Sequence, residues 1–180
     1  MDLTGRTALI TGAGQGIGKA CAQVFAERGA KLILMDKNRS TLPKVEAELK
    51  AKGHDVTAHI IDLTYSKRLM DLISQIEDQT PVHILINNAG FDRPGVTRKI
   101  DLGDFNAVLG IHLGVPFLLI KLLLPGMRAV HWGRIINISS IYGTSGAKGE
   151  AAYCVAKAGV IGLTKTVARE AGQDGVTVNA

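Results

Sequence analysis

Tyr153 and Lys157 stand four residues apart, and Ser140 lies thirteen residues before the tyrosine at the end of an apolar run. The Ala-rich stretch from Ala151 to Ala171 (AAYCVAKAGVIGLTKTVAREA) predicts a helix, on which a spacing of four sets both side chains on one face, one turn apart. A free phenol, with a pKa of about 10, is a poor acid or base near neutrality, but a fixed cation beside it favours the ionised form. Such a pair offers proton donation to an oxygen, or proton removal from one. Tyr and Lys at this spacing also occur on many solvated helices, so the surrounding elements must carry the argument.

Strand-length apolar runs alternate with helix-length amphipathic stretches along the whole chain. The expected strands are Arg6–Thr11, Lys31–Asp36, Val56–Asp62, Val82–Asn87, Gly133–Ser140 and Val176–Asn179. The expected helices are Ile17–Arg28, Arg39–Lys52, Leu63–Asp78, Asp104–Val130 and Ala151–Ala171. This is the βαβ rhythm of a doubly wound α/β fold, a parallel sheet covered on both faces as one domain over residues 1–180. A final strand with nothing after it leaves an edge and a face uncovered, which reads as truncation after strand six.

Between the first strand and its helix lies Thr11-Gly12-Ala13-Gly14-Gln15-Gly16-Ile17-Gly18. Glycines there let the backbone turn tightly and approach a pyrophosphate, whose charge the following helix N-terminus meets; Gln15 and Ile17 would lie against the same ligand. Asp36 ends the second strand, where a carboxylate accepts from both adenosine ribose hydroxyls. The expected cofactor is therefore NAD. A 2′-phosphate would meet a like charge, only partly offset by Lys37 and Arg39, which leaves NADP as the alternative.

In order and spacing, Gly12-x-x-x-Gly16-x-Gly18, Asp62, Asn87-Asn88-Ala89-Gly90, Ser140 and Tyr153-x-x-x-Lys157 resemble the short-chain dehydrogenase/reductase family over the whole chain. The resemblance implies a three-layer Rossmann fold. It also implies that Tyr153 is the general acid or base, that Ser140 hydrogen-bonds the reacting oxygen, and that Lys157 acts on Tyr153 and on the nicotinamide ribose. Asp62 and Leu63 would face the adenine; Asn88, Ala89 and Gly90 would line the adenosine side of the cleft. The implied activity is NAD(H)-dependent interconversion of a secondary alcohol and a carbonyl, the substrate being a small molecule. Reduction of a 3-oxoacyl thioester with NADPH is the runner-up, and a non-catalytic nucleotide-binding protein is the rival of another class.

One position departs from the pattern. His112 stands where the family places an asparagine whose backbone carbonyl holds a water linked to the active-site lysine. Pro116, four residues on, has no N–H to donate to the His112 carbonyl, so that acceptor is expected to stay free for water. The imidazole then either fills the structural role of the asparagine or titrates near neutrality and adds a second pH dependence.

The remaining features mostly exclude. A charge of +5 with scattered Lys and Arg and only 4% aromatic residues does not call for nucleic acid. Cys21 and Cys154 have no metal-ligand spacing and read as free thiols of a cytoplasmic protein; Cys154 points about a hundred degrees away from Tyr153. His54, His59 and His83 likewise show no ligand spacing, so no metal is expected. His131 and Trp132 read as a surface turn, and Arg93, Arg98 and Lys99 as a solvated basic loop. The greasiest run, Phe105 to Ile120, reads as too short and too polar to span a membrane. The all-round apolar stretch Asp104–Val130 and the Ala/Gly-rich face of Ala151–Ala171 predict a homodimer or homotetramer.

Overall fold

In the computed structural model, which describes residues 2–180, the strand side chains feed two separate cores. Every residue of β1 (Thr7–Thr11) is buried, with Leu9 pointing into one core and Ala8 and Ile10 into the other. That alternation is the period of a strand covered on both faces. The helices α1 (Gly16–Glu27) and α2 (Leu42–Ala51) cover one side through Ala22, Ala26, Leu42, Val45 and Leu49. On the other side lie α3 (Ser66–Gln79), α5 (Val115–Ala129) and α7 (Ala151–Ala171), contributing Leu69, Ile73, Leu119, Leu123 and Val167.

The other strands are β2 (Lys31–Asp36), β3 (Val56–Ile60), β4 (Ile84–Asn87), β5 (Gly133–Asn137) and β6 (Val176–Asn179). The sheet is parallel throughout, in the order β3-β2-β1-β4-β5-β6. The chain winds outward from β1 to β3, then returns to place β4 on the other side of β1. Above the C-terminal ends of β1 and β4 the connections diverge, which opens the crevice where ligands of such sheets bind.

Several expected boundaries move. β3 ends at Ile60 rather than Asp62, and α3 starts at Ser66 rather than Leu63, because the Asp62 carboxylate accepts from the Thr64 amide and hydroxyl and turns the chain. β5 ends at Asn137, since its neighbour β4 stops pairing at Asn87, so Ser140 sits in a loop and not on a strand. The long apolar helix begins earlier, at Leu102, because Asp101 caps it by accepting from the amides of Gly103 and Asp104. It is also not uniform: α4 (Leu102–Leu109) passes through a π-helical turn, Gly110–Gly114, before α5.

Length does not exclude a membrane span, since Leu102–Ala129 is one 28-residue helical run that contains an 18-residue window of mean hydropathy 2.2. Its place in the fold accounts for that hydropathy: Leu119, Leu123 and Met127 are fully buried in the core shared with α3 and the sheet. Trp132 is not a bare surface turn either. It is half-buried, with the Arg6 and Arg134 guanidiniums 4.0 and 4.5 Å from its ring and His83 edge-on to it.

Candidate active site

A cleft of about 340 Å³ opens at the C-terminal ends of β1 to β4. Its floor is the glycine turn after β1. Gly12 has φ +65°, and a Cβ there would lie 2.8 Å from Asn88 Nδ2, so both the backbone conformation and the space require glycine. Gly18 lies behind the turn and not on the cleft wall. A Cβ on it would stand 2.2 Å from the Gly12 carbonyl oxygen, so its absence lets α1 pack directly on the turn. The N-terminus of α1 has no side-chain cap and no acidic residue in its first turn, leaving its amides for an anion beside exposed Gln15, Gly16 and Ile17.

Thr11 and Asn88 hold this turn. The Thr11 hydroxyl accepts from the amides of Asn88 and Ala89, each at 3.0 Å, and donates to the Ile86 carbonyl. Asn88 Nδ2 donates to the carbonyls of Thr11 and Gly12 at 2.9 and 3.1 Å, which ties β4 to the turn. Thr11 escaped the sequence reading because a threonine ending a strand carries no signal of its own.

Asp36 faces the cleft, and its carboxylate accepts from the Gly14 amide at 2.9 Å and the Asn38 amide at 2.9 Å. Each oxygen thus has one backbone donor and retains capacity for a further one, as a ribose diol supplies. Asp62 and Leu63 line the next part of the wall, with Ala89, Gly90, Phe91 and Ile111 opposite. Burial alone would raise the Asp62 carboxyl, but hydrogen bonds from Thr64, aided by the Lys37 charge, hold it below the ordinary carboxylate value. The glycine cradle, the uncapped helix and the paired carboxylate fit a nicotinamide dinucleotide.

Tyr153 and Lys157 fall on the same face of α7, with Lys157 Nζ 5.4 Å from the centre of the tyrosine ring. Lys157 is only 4% exposed and donates to the Ile138 carbonyl in the loop after β5. Burial pushes its pKa down to about 8. The short helix α6 (Tyr142–Ser145) lies directly on this turn of α7: a Cβ on Gly143 would stand 2.8 Å from the Lys157 carbonyl carbon. Ser140 Oγ accepts from the Tyr142 amide at 3.2 Å, and the Tyr142 ring lies edge-on to Tyr153 with centroids 6.5 Å apart. The structure thus shows the turn-forming role of Ser140; that bond uses an oxygen lone pair and leaves the hydroxyl hydrogen available to donate.

His112 is buried in the π-helical turn, edge-on to the Tyr153 ring with centroids 5.2 Å apart. Its Nε2 lies 2.9 Å from the Phe91 carbonyl oxygen, which only accepts, so Nε2 carries the hydrogen and Nδ1 is a bare, unpartnered acceptor. The ring rests on Gly90, where a Cβ would come within 2.0 Å of Cε1. Burial, then the Lys157 charge, push the imidazole pKa down to about 4. Of the two readings of this imidazole, its burial and its bond to Phe91 favour the neutral, packed ring over one that titrates near neutrality.

Cys21 and Cys154 are both free and half-buried. Among the described residues no group of histidine, cysteine and carboxylate side chains could hold a metal. Arg93 is not simply solvated, since it pairs with Asp104 at 3.5 Å.

Residues 6–180 match the family model described as short chain dehydrogenase. A 3-oxoacyl-(acyl-carrier-protein) reductase of Rickettsia bellii is 40% identical over 184 residues, covering 100% of this chain and 72% of that one. The structure of a proposed NAD(P)-dependent gluconate 5-dehydrogenase from Beutenbergia cavernae with bound NADP superposes with a TM-score of 0.95 at 32% identity, over 99% of this chain and 72% of the other. An NAD+-bound xylitol dehydrogenase superposes with a TM-score of 0.93, also at 32% identity, over 100% of this chain and 70% of the other. With residues 6–180 matching that family's model and a parallel sheet that superposes on nicotinamide-binding members, the chain belongs to the short-chain dehydrogenases and is a nicotinamide-dependent oxidoreductase by family.

Proposed function

We propose that the chain reduces the ketone of a 3-oxoacyl thioester to the secondary alcohol, reversibly, with NADH as reductant. The observation that carries the acid-base part is the Tyr153–Lys157 pair, with its cation 5.4 Å from the centre of the phenol ring and His112 packed between that ring and Gly90 of the cleft wall. The substrate class is supported by the names of relatives such as the 40%-identical reductase. This departs from the sequence reading, which put that class second. The choice of NADH is supported by Asp36, whose carboxylate faces the cleft where a 2′-phosphate would bring like charge.

The bound cofactor supplies hydride to the carbonyl carbon. Everything else falls to the chain. The Ser140 hydroxyl donates to the carbonyl oxygen and orients it. Tyr153 gives that oxygen its phenolic proton as the C–O double bond becomes an alkoxide. The Lys157 ammonium, desolvated and close, stabilises the phenolate left behind. In the oxidation direction the same groups take the proton back. His112, neutral and wedged between Gly90 and Tyr153, holds the phenol ring in place.

Oxidation of a polyol with NAD+ is the second reading, supported by the xylitol dehydrogenase likeness. Initial rates with NADH or NADPH against an acetoacetyl thioester, and with NAD+ against xylitol, separate the two. The proposal predicts the highest kcat/KM for thioester with NADH. A clear preference for xylitol, or for NADPH, would overturn it.

We further propose a reducing, cytoplasmic setting, in keeping with the two free thiols, and self-association through the α4–α5 and α7 face. A groove there is lined by Leu109, Leu113, Phe117 and Leu163, and Phe117 is 54% exposed.

A further inference from the structure

Phe91, directly after the Asn87–Gly90 turn, faces the cofactor cleft from the β4 side, and Lys37, directly after Asp36, faces it from the β2 side. The two meet: Lys37 Nζ lies 5.3 Å from the centre of the Phe91 ring. Among the described residues Lys37 is the one basic side chain lining the cleft, and it makes no ion pair. Phe91 is fixed from behind, its carbonyl bonded to His112 and its ring packed on the larger core. A second cation, Arg93, lies 5.1 Å from the same ring, but it is already paired with Asp104.

We propose that Phe91 is a specificity-determining residue that enforces NAD over NADP by holding Lys37 on its ring. A 2′-phosphate brought beside Asp36 needs a cation to offset the like charge, and Lys37 is the one next to it. To serve the phosphate, Lys37 has to leave the aromatic face, whereas a ribose diol makes no such demand. The cation–ring attraction is thus paid only by the phosphorylated cofactor. Attraction of this kind at an exposed site corresponds to about two- to five-fold in a binding constant. The proposal rests on the NADH reading given above.

The test is calorimetric binding of adenosine 2′,5′-bisphosphate and adenosine 5′-monophosphate, which isolates the adenosine end and requires no turnover. Phe91→Leu keeps an apolar side chain on the core and removes the π face. It is expected to tighten the bisphosphate relative to the monophosphate about two- to five-fold, with Phe91→Trp restoring the wild-type ratio. In a Lys37→Gln background Phe91→Leu is expected to change nothing. The proposal is overturned if Phe91→Leu leaves the ratio unchanged, or if its effect persists without Lys37. It is equally overturned if the effect disappears in an Arg93→Gln background, which would make Arg93 the released cation. Should Phe91→Leu fail to fold, Phe91→Met carries the same arm. Tighter wild-type binding of NADPH than of NADH would contradict the NADH reading alone, because the latch is judged by the difference between variants.

Discussion

Lys157 works as a cation in a place that disfavours its charge. With its pKa pushed by burial from 10.5 to about 8, it is protonated at neutral pH and loses its proton just above. The account therefore predicts that kcat/KM for reduction falls as pH rises through about 8, read from a pH–rate profile. Folding carries the matching signature. Between about 8 and 10.5 the unfolded chain binds the extra proton, so stability should rise with pH across that window, and Lys157→Met should abolish the rise in urea melts. His112 acts with the same sign in a lower pH window. Neutral in the fold down to about 4, it contributes stability that is lost as pH falls from 6.5 toward 4. His112→Asn should flatten that acid-side loss and leave the pH–rate profile near neutrality unchanged. A displaced neutral-range profile would mean that the imidazole does titrate there.

At this scale the sequence was legible wherever a residue type has one chemical use at one position. Asp36, Tyr153 and Lys157 all fall where their spacing placed them, because helix and strand periodicity fix direction. Phe91 and Lys37 were not legible as a pair. They lie 54 positions apart, and only the parallel sheet brings the ends of β2 and β4 to facing walls of one cleft.

Among the elements, α7, which carries Tyr153 and Lys157, is tied to the sheet by a buried polar chain. Asn87 Nδ2 donates to Asn137 Oδ1 at 2.8 Å, Asn137 Nδ2 donates to Thr164 Oγ1 at 2.9 Å, and the Thr164 hydroxyl donates to the Val160 carbonyl. Asn137→Ala should destabilise the fold by about 1–3 kcal/mol, because it strands a buried amide on Asn87 and removes the donor to Thr164; chemical denaturation measures it. A cost close to zero would mean that water replaces the lost partners. The rhythm of six strands was readable from apolar runs, but their ends were not. β3, β5 and the long helix stop or start where side chains cap the backbone or a neighbouring strand runs out, and hydrophobic periodicity does not register those events. The π-helical turn at Gly110–Gly114 was hidden for the same reason, since the apolar pattern continues through it.

The whole molecule puts its chemistry at the line where the winding of the sheet reverses. The glycine turn and Asp36 stand at the C-terminal ends of β1 and β2, while Tyr153 and Lys157 stand on α7, which the Lys157 bond to the Ile138 carbonyl ties to the loop just after β5. The apolar groove on the α4–α5 and α7 face predicts a dimer or larger species by sedimentation at micromolar concentration, and Phe117→Asp should shift it toward monomer. A monomer in the unmodified chain would contradict that. The central claim is that Tyr153 moves the proton, and its most direct test is Tyr153→Phe assayed with NADH and an acetoacetyl thioester, alongside nucleotide binding by calorimetry. The account predicts a loss of kcat of ~100-fold or more with NADH affinity unchanged; turnover retained within a few-fold of wild type would contradict it.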